Sequence, residues 1–575
     1  MEGIDMERLE AKKISGHTYY YYSKWGWTDG KCRRLWQKYL GRLEDIVKAV
    51  DRGPDAQYAE VFDFGLPTAL WLEIQRQNVV GHVDKLCPKR RQGLSVGVYI
   101  ALAAVNRAIR PVSKNAMWEW FSGTTLRRFL PDADEAALNS QRFWDHMDCV
   151  TPEKALNIWR SIISATADRE KIDLSHISYD GTNFYTFLNT FNMNSQLARR
   201  GHNKQGRDNL RQINYALFCS KDGNVPLYYD LYEGNRNDAR QFPVMIERFQ
   251  QFITGLSPGK KAAASEVTVV FDKGNNSADN IARMDSLHLH FIGSVKLDEH
   301  KELAAVSNAD PRFQPCTRSQ LKDLKAFEVR KDVYGRERTV VVVYNARLFE
   351  TQWKTVNADI DKALDGLAAL KQRLDDRADG IITRGRAPTV SSIQKQAAEL
   401  LRRPFMKELI EIKISPVPGL EYQLHPERLE NLADTRLGKK LILTTRDKWD
   451  IEDIIEGYHN QYVIEHVFRE MKHRDRGTWW PLNHWTDQKI RVHGLYCTIA
   501  ILLRSLIWRR VHQHKLKLSL DRLWGELAGI REVVNVFKRK RRAKSAPTQT
   551  VLTKLNPAQE KLFKILELNK GMRDL

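Results

Sequence analysis

Three carboxylates occur in sequence contexts suited to binding a divalent metal ion. Asp180 lies within the apolar and aromatic segment ISYDGTNFYTF, Asp272 ends the apolar segment VTVVFD, and Glu465 lies mid-helix in YVIEHVF. A carboxylate at the edge of a buried element must be paired, hydrogen-bonded or metal-bound. Mg²⁺ prefers oxygen ligands, usually one or two carboxylates with phosphate and water. Two such ions about 4 Å apart promote phosphoryl transfer, so these acids are candidate metal ligands and catalytic residues. Taken alone, a strand-terminal acid such as Asp272 is also typical of a turn or a helix cap.

The third acid lies on a helix predicted over residues 449–476. Tyr458, Glu465 and Lys472 recur every seven residues, which is nearly two helical turns, and Gln461 lies four residues before Glu465. These four residues are therefore predicted to share one face. An acid flanked by a lysine and a tyrosine suits a nucleic-acid surface. The alternative is an amphipathic helix whose polar stripe faces water.

The acids on strands require a sheet to position them. From about residue 172, alternating hydrophobicity predicts three consecutive strands, with residues 201–209 forming a polar loop between the first two. A helix is predicted over 236–253, followed by the strand VTVVFD, a short helix over 277–285 and the strand FIGSVK. Strand–helix alternation after three consecutive strands predicts a mixed α/β sheet.

The 575 residues suggest about three or four domains. Between residues 298 and 445 lie two strands, RTVVVVYNAR and KKLILTTR, a long charged helix over about 351–377 and a helix in SSIQKQAAELLRR, which together predict an insertion. The predicted regions are a basic aromatic N-terminal hairpin region (1–55), a helical DNA-binding region (56–170), the first part of a catalytic core (171–297), an insertion domain (298–445), the second part of the core with the glutamate helix and the next helix (446–512), and a basic helical C-terminal tail (513–575).

Two N-terminal segments are candidates for contacting DNA. Asp29 and Gly30 lie between aromatic and basic runs and predict a hairpin turn. This region suits DNA contact as well as it suits a small sheet with a basic exterior. Residues 95–129 have two helical patterns separated by a turn, which is compatible with a helix-turn-helix or with an ordinary helical hairpin.

Composition favours a polyanionic partner. Lys and Arg number 92 against 71 Asp and Glu, a formal charge of +21 that includes a basic run at 538–544. The six cysteines are scattered at least 55 residues apart, which excludes zinc-finger spacing and suits a reducing cytosol. The charged N-terminus lacks the apolar run of a signal peptide. The longest apolar stretch, 499–508, is broken by Arg504 and is too short to span a bilayer. We therefore expect a cytoplasmic protein without a membrane segment.

Taken together, the motifs resemble the DDE transposases of the IS4 group, and more narrowly the IS1634 family. The helix motif of that family is Tyr, two residues, Arg, three residues, Glu, six residues, Lys. This chain has Tyr458, Glu465 and Lys472 at that spacing, with Gln461 in the Arg position. SYDGTNFYTF resembles the first catalytic-Asp strand, GHNKQGRDNLRQINYALF the Gly-His-Ser-Lys loop and the next strand, and VTVVFDKGNNS the second catalytic-Asp motif. The second acid lies 92 residues after the first and the third 193 residues further on, as the family's insertion requires. The similarity covers roughly residues 170–510.

The resemblance implies an RNase H-like core with the acids at the edge of a mixed sheet and flanking helices, carrying a large insertion and preceded by a mainly helical region. It implies that Asp180, Asp272 and Glu465 bind two Mg²⁺ or Mn²⁺ ions. Water first releases a 3′-OH at a transposon end, and that 3′-OH then attacks phosphodiesters. The implied function is transposition of a bacterial insertion sequence. The implied partner is double-stranded DNA, both transposon ends and target, bound by a homodimer at the nucleoid. Some relatives pass through a DNA hairpin.

Six residues are candidate DNA contacts: Tyr458, Gln461, Arg469, Lys472, His202 and Lys204. Gln461 keeps hydrogen-bonding capacity but lacks the family's charge, and Arg469, one turn beyond Glu465, is a candidate to supply it. His202 and Lys204 lie in the 201–209 loop, which suits phosphate contact as well as it suits a solvated loop. Trp479 and Trp480 follow the catalytic helix and are more typical of core packing than of base stacking.

Three alternatives compete with this interpretation. Asp180-Gly181-Thr182 resembles part of a haloacid-dehalogenase nucleophile motif, but Ser178 occupies the position of the required nucleophilic Asp. A resolvase or retroviral-type integrase usually has its Glu much closer to the second Asp. A catalytically inactive, transposase-derived DNA-binding protein is the main alternative, because Gln461 replaces the motif Arg.

Overall fold

The computed structural model describes residues 6–28, 31–52, 56–256, 266–415, 419–473, 475–538 and 545–572. Contacts divide the chain into two compact units. The smaller unit comprises Met1–Leu72, Met117–Ala133 and Val511–Leu575, and the larger unit comprises Glu73–Ala116 and Asp134–Arg510. The smaller unit thus combines both ends of the chain with a short internal stretch, an arrangement that contiguous sequence regions did not predict.

An aromatic antiparallel sheet begins the smaller unit. Its strands are β1 (Met6–Ile14), β2 (His17–Thr28) and β3 (Lys31–Gly41). The predicted turn residues Asp29 and Gly30 lie outside the described residues. The guanidinium of Arg8 lies 4.8 Å from the ring centre of Trp25, within the range of a cation–π contact. Basic and aromatic side chains thus contact one another in this sheet, and its contact with DNA stays a prediction.

A second antiparallel sheet of the smaller unit joins distant parts of the sequence. Its strand order is β18 (Thr548–Leu552), β17 (Arg531–Phe537) and β4 (Ala56–Asp63). Residues 56–170 therefore begin with a strand, and the tail predicted as helical contains two strands. The basic run 538–544 lies outside the described residues except for Lys538. The helices of this unit are α1 (Leu43–Arg52), α5 (Met117–Ser122), α6 (Leu126–Phe129), α19 (Leu520–Ala528) and α20 (Pro557–Ile565), while α2 (Gly65–Arg76) and α18 (Asp487–Gln513) contribute residues to both units.

Helices precede the central sheet in the larger unit. They are α3 (Val79–Leu86), α4 (Val96–Ile109), α7 (Ser140–Met147) and α8 (Pro152–Arg169). Nearly every residue of α4 is buried, including Tyr99 and Asn106. This burial favours ordinary helical packing over an exposed helix-turn-helix, and DNA binding by residues 56–170 stays a prediction.

A ten-stranded mixed sheet forms the centre of the larger unit, as the sequence predicted for its first part. Its strands are β5 (His176–Thr186), β6 (Arg199–Arg200), β7 (Arg211–Ser220), β8 (Pro226–Glu233), β9 (Thr268–Val270), β10 (His290–Val295), β11 (Gln314–Pro315), β12 (Leu324–Val333), β13 (Arg336–Asn345) and β16 (Lys439–Thr444). The order is β11-β12-β13-β16-β10-β9-β5-β7-β6, and β8 also pairs with β7. Strands β5, β7 and β8 are antiparallel, whereas β5, β9 and β10 are parallel. Helices α9 (Asp238–Thr254) and α10 (Ala278–Ser286) follow β8 and β9.

The predicted insertion, 298–445, contributes four strands to the central sheet: β11, β12, β13 and β16. It also contains α11 (Lys301–Ala304), α12 (Ala346–Ala378), α13 (Val390–Leu400), α14 (Met406–Leu409), β14 (Ile410–Ser415), β15 (Gly419–Leu424) and α15 (Pro426–Thr435). An apolar cluster of its own, which includes Leu367 and Ile393, is confined to residues 349–437. The part with a separate core is therefore narrower than the sequence predicted.

The helix predicted over 449–476 is divided in two. Helix α16 spans Ile451–His459 and α17 spans Tyr462–Lys472. Asn460 and Gln461 keep right-handed helical dihedral angles, but the N–H groups of Gln461 and Val463 bond to carbonyls only three residues back. This tighter turn interrupts the α-helical pattern, so Tyr458 and Glu465 lie on different helices.

Helix α18 is the one helix among the described residues that is long and apolar enough to cross a membrane by length and composition alone. It runs from Asp487 to Gln513, well beyond the apolar stretch 499–508 predicted to be too short. Within its most apolar window, 94% is buried inside the protein. Its apolar surface is therefore covered by packing against the rest of the chain, as in a core helix.

Candidate catalytic site

Asp180 lies within β5, and Asp272 follows the end of β9, the parallel strand beside it. In the β5–β9 pair, Ser178 is the register partner of Val270, and each Asp follows two residues later. The chain continues beside β10 after β9 ends, because the N–H of Phe271 bonds to the carbonyl of Ile292 at 3.2 Å. Side chains alternate between the two faces of an extended chain. Asp180 and Asp272 therefore lie on the same face of the sheet as Ser178 and Val270. They lie close enough for their charges to repel each other.

Helix α17 packs across β5 and β7 and carries Glu465. The hydroxyl of Ser178 donates to the carbonyl of Asn460 at 3.2 Å, just before α17 begins. At its other end, the ammonium of Lys472 donates to the hydroxyl of Thr182 at 2.6 Å. Both ends of α17 are therefore attached to β5 on either side of Asp180, and Glu465 is exposed between those attachments.

Tyr458 lies within electrostatic range of two of the predicted acids. It is 7% exposed. Burial raises the pKa of Tyr458, a hydrogen bond with Ser294 opposes this, and the charges of Asp272 and Glu465 raise the pKa further. The α16 tyrosine thus lies near an acid from a strand end and an acid from α17, despite the interruption of the helix.

A fourth carboxylate, Asp238, belongs to this site and was missed by the sequence analysis. It forms an ion pair with Lys204 at 2.9 Å and accepts a hydrogen bond from the hydroxyl of Tyr232 at 2.8 Å. A Cβ at Gly181 would lie 3.2 Å from the Tyr232 hydroxyl and at an ordinary contact distance, 3.5 Å, from the Asp238 carboxyl carbon, so Asp238 adjoins the residue that follows Asp180. In the sequence, Asp238 shows only the signature of an acid in the first turn of a helix. Its proximity to Asp180 depends on the return of the chain through β8.

Lys204 connects the polar loop to the first acid. Its ammonium donates to the carbonyl of Gly181 at 2.7 Å as well as pairing with Asp238. Burial opposes the charge of Lys204, but Asp238 and Asp180 outweigh this effect and raise the pKa of its ammonium. Lys204, which was predicted to contact phosphate, therefore neutralises carboxylates of the site.

The carboxyl of Asp180 is held in a position that disfavours its charge. Burial raises the pKa of Asp180 to about 6, and the nearby charges of Asp238 and Asp272 add to the effect. Lys204 and the N–H of Gly181, which donates at 2.7 Å, oppose it. A carboxylate pushed towards protonation near neutral pH is typical of a functional site, and an added cation would favour its ionised form.

Lys472 is a second cation close to Asp180. Burial lowers the pKa of its ammonium to about 8, Lys204 lowers it further, and Asp180 opposes these effects. Two lysines from different elements, a loop and the end of α17, therefore share the surroundings of one acid. Such a pair suits the binding of a phosphate beside the carboxylates.

The other predicted DNA contacts occupy varied environments. Gln461 is 8% exposed, so it does not share an exposed face with Glu465 as the continuous helix predicted. Arg469 is exposed and one of its terminal nitrogens is 2.7 Å from Nδ1 of His466. The His202 side chain is 92% exposed and lies 3.8 Å from Asp208. Contact of these residues with DNA stays a prediction.

A cavity of about 630 Å³ lies beside Lys472. Arg207 and Trp480 also line it, and the Arg207 guanidinium lies 4.8 Å from the ring centre of Tyr185. Trp479, in contrast, is fully buried and stacks on Phe184 at 4.2 Å. Trp479 is thus a core residue, as its sequence context favoured, whereas Trp480 faces a basic, aromatic cavity.

The donor set fits a divalent metal ion held by the two aspartates. Among the described residues, no group of three or more His, Cys, Asp and Glu side chains is close enough to hold a metal ion. Mg²⁺ needs only one or two carboxylates when phosphate and water complete its shell. Asp180, within β5, and Asp272, just after β9, meet that requirement, and among the described residues Glu465 does not join them in one group of potential metal ligands.

The raised pKa of Asp180 predicts a stability effect that depends on pH. The unfolded chain ionises this group near its ordinary value of 3.8 and the folded protein near 6. Its favourable contribution is therefore complete below about pH 4 and is lost as the pH rises through 6. We expect Asp180→Asn to stabilise the metal-free protein by roughly 1–3 kcal/mol at pH 7.5, with the gain shrinking towards pH 4.5. Thermal unfolding of both proteins in EDTA between about pH 4.5 and 7.5 measures this gain in stability.

A matched control is Asp361→Asn, at an exposed position on α12, which should give the same small difference at every pH. In the wild type, Mg²⁺ should raise the melting temperature at pH 7.5, and Asp180→Asn should remove that response. A gain in stability that grows towards acid pH would contradict the environment assigned to Asp180.

Residues 171–503 match the family described as the transposase DDE domain. This match spans more than half of the sequence, so the chain belongs to that family. No curated protein matches the chain. Among solved structures, the chain is similar to that titled as the cryo-EM structure of a piggyBac transposase synaptic complex with hairpin DNA, with 8% identity, a TM-score of 0.35 and coverage of 82% of each chain.

Family membership defines the class of the site. The chain is a transposase with an α/β DDE domain, and DNA is the partner that this family implies. DDE transposase domains generally use divalent metal ions. Asp180, Asp272 and Glu465 all fall within the matched residues.

Proposed function

We propose that this protein is the transposase of a bacterial insertion sequence, which binds the element's ends, cleaves DNA strands and joins the resulting 3′-OH ends to target DNA. One observation carries the proposal: Asp180, within β5, lies near Asp272, which follows the end of the neighbouring parallel strand β9, and α17, which bears Glu465, is attached to β5 on both sides of Asp180. Carboxylates from these elements around the middle of β5 suit metal-assisted phosphoryl transfer.

Two Mg²⁺ ions, or Mn²⁺ in their place, are the proposed cofactors, with Asp180, Asp272 and Glu465 as their ligands. When bound, such ions activate the attacking oxygen and stabilise the leaving one. No protein nucleophile is needed, since water and then the released 3′-OH are the attacking groups.

The chain's own cations position the DNA in this proposal. Lys472 lies beside Asp180 and lines the cavity that also contains Arg207. Their charges would hold phosphates next to the carboxylates. Lys204 pairs with Asp238 in the DNA-free protein and is a second candidate to contact phosphate. Tyr458 lies near Asp272 and Glu465, where it can contact the strand being cut.

An RNase H-like core, an insertion domain and membership of a narrower transposase family belong to the same proposal. A mixed sheet with flanking helices, with one acid within β5 and another just after the neighbouring β9, supports an RNase H-like core. The segment 349–437, with a core of its own between the second Asp and the Glu, supports an insertion domain. The spacing of Tyr458, Glu465 and Lys472 supports membership of the IS4 group and the IS1634 family.

The partners and location are proposed on charge and on the reaction. A formal charge of +21 favours binding of double-stranded DNA. Two element ends must be held together for transposition, so we propose a homodimer on DNA. Action at the nucleoid in the cytoplasm follows from that substrate.

The test is strand cleavage by the purified full chain on a duplex carrying the sequences that flank its own gene. With Mg²⁺ or Mn²⁺, we expect nicks at the element boundary that leave a 3′-OH, and EDTA should abolish them without preventing DNA binding. A shuffled end sequence is the matched control substrate. Specific end binding without cleavage in either metal would support the catalytically inactive DNA-binding protein instead.

A further inference from the structure

A second, smaller cavity of the larger unit is lined by buried basic side chains. Its volume is about 200 Å³. Arg107 lies near the end of α4, Lys114 lies in the turn that follows, and His484 precedes α18. Asn483 lines the cavity and is exposed at its rim, so the cavity opens to solvent.

Arg107 and Lys114 have no acidic partner among the described residues. Lys114 is 9% exposed, and its ammonium lies 4.4 Å from the ring centre of Tyr496 and 4.9 Å from that of Phe143. Arg107 is 3% exposed and donates one hydrogen bond, to the carbonyl of Pro481 at 2.9 Å. Its Nε and one terminal nitrogen are buried without a hydrogen-bond partner.

Burial and mutual repulsion disfavour the charged forms of the basic groups around this cavity. Burial lowers the pKa of Lys114 well below its usual range, and Arg107 lowers it further. His484 is 3% exposed and its Nδ1 has no hydrogen-bond partner. Lys489, which also acts on His484, is already paired with Asp148 at 2.8 Å. A buried cation without counter-charge is unfavourable, so an anion bound here would pair with Arg107 and favour the charged form of Lys114.

We propose that this cavity binds a phosphate-class anion, supplied either as one phosphodiester group of DNA or as free phosphate. Arg107 offers a planar fork of donors and Lys114 a point charge, a combination that recognises phosphate oxygens. Ser140 and Asn483 line the same cavity and add neutral donors. Its volume lies below the roughly 300–1,000 Å³ of sites for larger ligands, so a single phosphate group fits it better than a whole nucleotide.

The cavity also adjoins the candidate catalytic site. Pro481 and Asn483 line both this cavity and the larger one that contains Lys472. A phosphate held by Arg107 and Lys114 would therefore lie next to the DNA path proposed beside Lys472. The DNA source rests on the proposed transposase function, whereas binding of free phosphate does not.

The first experiment measures thermal unfolding of the full chain in inorganic phosphate and in chloride at matched ionic strength. We expect phosphate to raise the melting temperature of the wild type and Lys114→Met to weaken the apparent affinity at least tenfold. Without phosphate, Lys114→Met should unfold at or above the wild-type temperature, because it replaces a buried amine that has no acidic partner with an apolar side chain. Asn483→Asp, an exposed change that places a carboxylate at the rim, should also abolish the response. Lys154→Met, at a partly buried lysine of α8 outside the cavity, should retain it.

DNA binding as a function of salt separates the two sources. If the cavity takes a DNA phosphate, Lys114→Met and Asn483→Asp should each reduce the slope of log affinity against log salt by about 0.9. If it takes free phosphate, both slopes should equal that of the wild type while the phosphate response is still lost. A wild type without a phosphate response, but with reduced slopes in both variants, also supports the DNA source. Equal phosphate responses in all proteins, or no response together with unchanged slopes, would overturn the proposal.

Discussion

Replacing Asp180 with Asn is expected to slow strand cleavage by about 10³-fold or more while leaving the binding of element ends within about threefold. Asn retains an oxygen that can accept the hydrogen bond donated by Gly181, so the local backbone should persist. What it lacks is the negative charge that a metal ligand supplies. Charge stabilisation by a bound metal is worth several kcal/mol, and each 1.4 kcal/mol changes a rate about tenfold. Lys472 and Arg207 remain to contact phosphates, so binding should survive.

The measurement compares cleavage of a labelled end duplex with Mg²⁺ and mobility-shift binding in EDTA, using the same protein preparation. Asp361→Asn removes one acid from an exposed face of α12 and should match the wild type in both assays. Cleavage by Asp180→Asn at the wild-type rate would remove this residue from the catalytic site and, with it, the proposed arrangement. Loss of binding together with cleavage would instead mean that the substitution disturbs the fold.

The positions of Asp180 and Asp272 were predictable because the local sequence pattern at each acid indicates a buried strand. Apolar residues surround Asp180 and precede Asp272, which predicts Asp180 within a buried strand and Asp272 at the end of one. The parallel register then makes them neighbours. The assignment of Glu465 needed the family resemblance as well, since an acid between apolar residues also occurs on any amphipathic helix.

Features that depend on long-range contacts were not predictable. Asp238 reaches Lys204 only after the chain returns through β8, and nothing local distinguishes it from an acid at a helix start. The pairing of Arg531 with Asp63 joins distant parts of the sequence, so the local pattern predicts a helical region where β4 forms. The interruption at Asn460 has no Pro or Gly in the turn itself to indicate it.

The groups around Asp180 determine the charge state of its carboxyl. Lys204 and Lys472 approach this carboxyl from a loop and from α17, and without a metal ion they supply its counter-charge. Lys204 also has Asp238 as a partner, so it can keep an ion pair when a metal ion neutralises Asp180. Asp238 therefore holds Lys204 in place through an ion pair that the catalytic acids do not provide.

A pair of substitutions on α17 separates catalysis from folding. Glu465→Gln should lower cleavage by about 10²-fold or more and change the free energy of unfolding by less than about 0.5 kcal/mol. Glu465 is exposed and has no ion pair within 4 Å among the residues described, so folding gains little from its charge. Glu470, five residues later, is 7% exposed and lies 3.6 Å from the buried guanidinium of Arg504.

Glu470→Gln should show the opposite pattern, with a loss of about 1–3 kcal/mol in stability because a buried guanidinium loses its counter-charge, and with cleavage per folded molecule close to wild type. Urea unfolding and end cleavage measured on both variants make the comparison. Both substitutions exchange a carboxylate for an amide on the same helix, so a general effect of removing charge from α17 would appear in both. If Glu465→Gln cleaved normally while Glu470→Gln lost activity without losing stability, the acid facing the metal would be Glu470, and the assignment of the third ligand would be wrong.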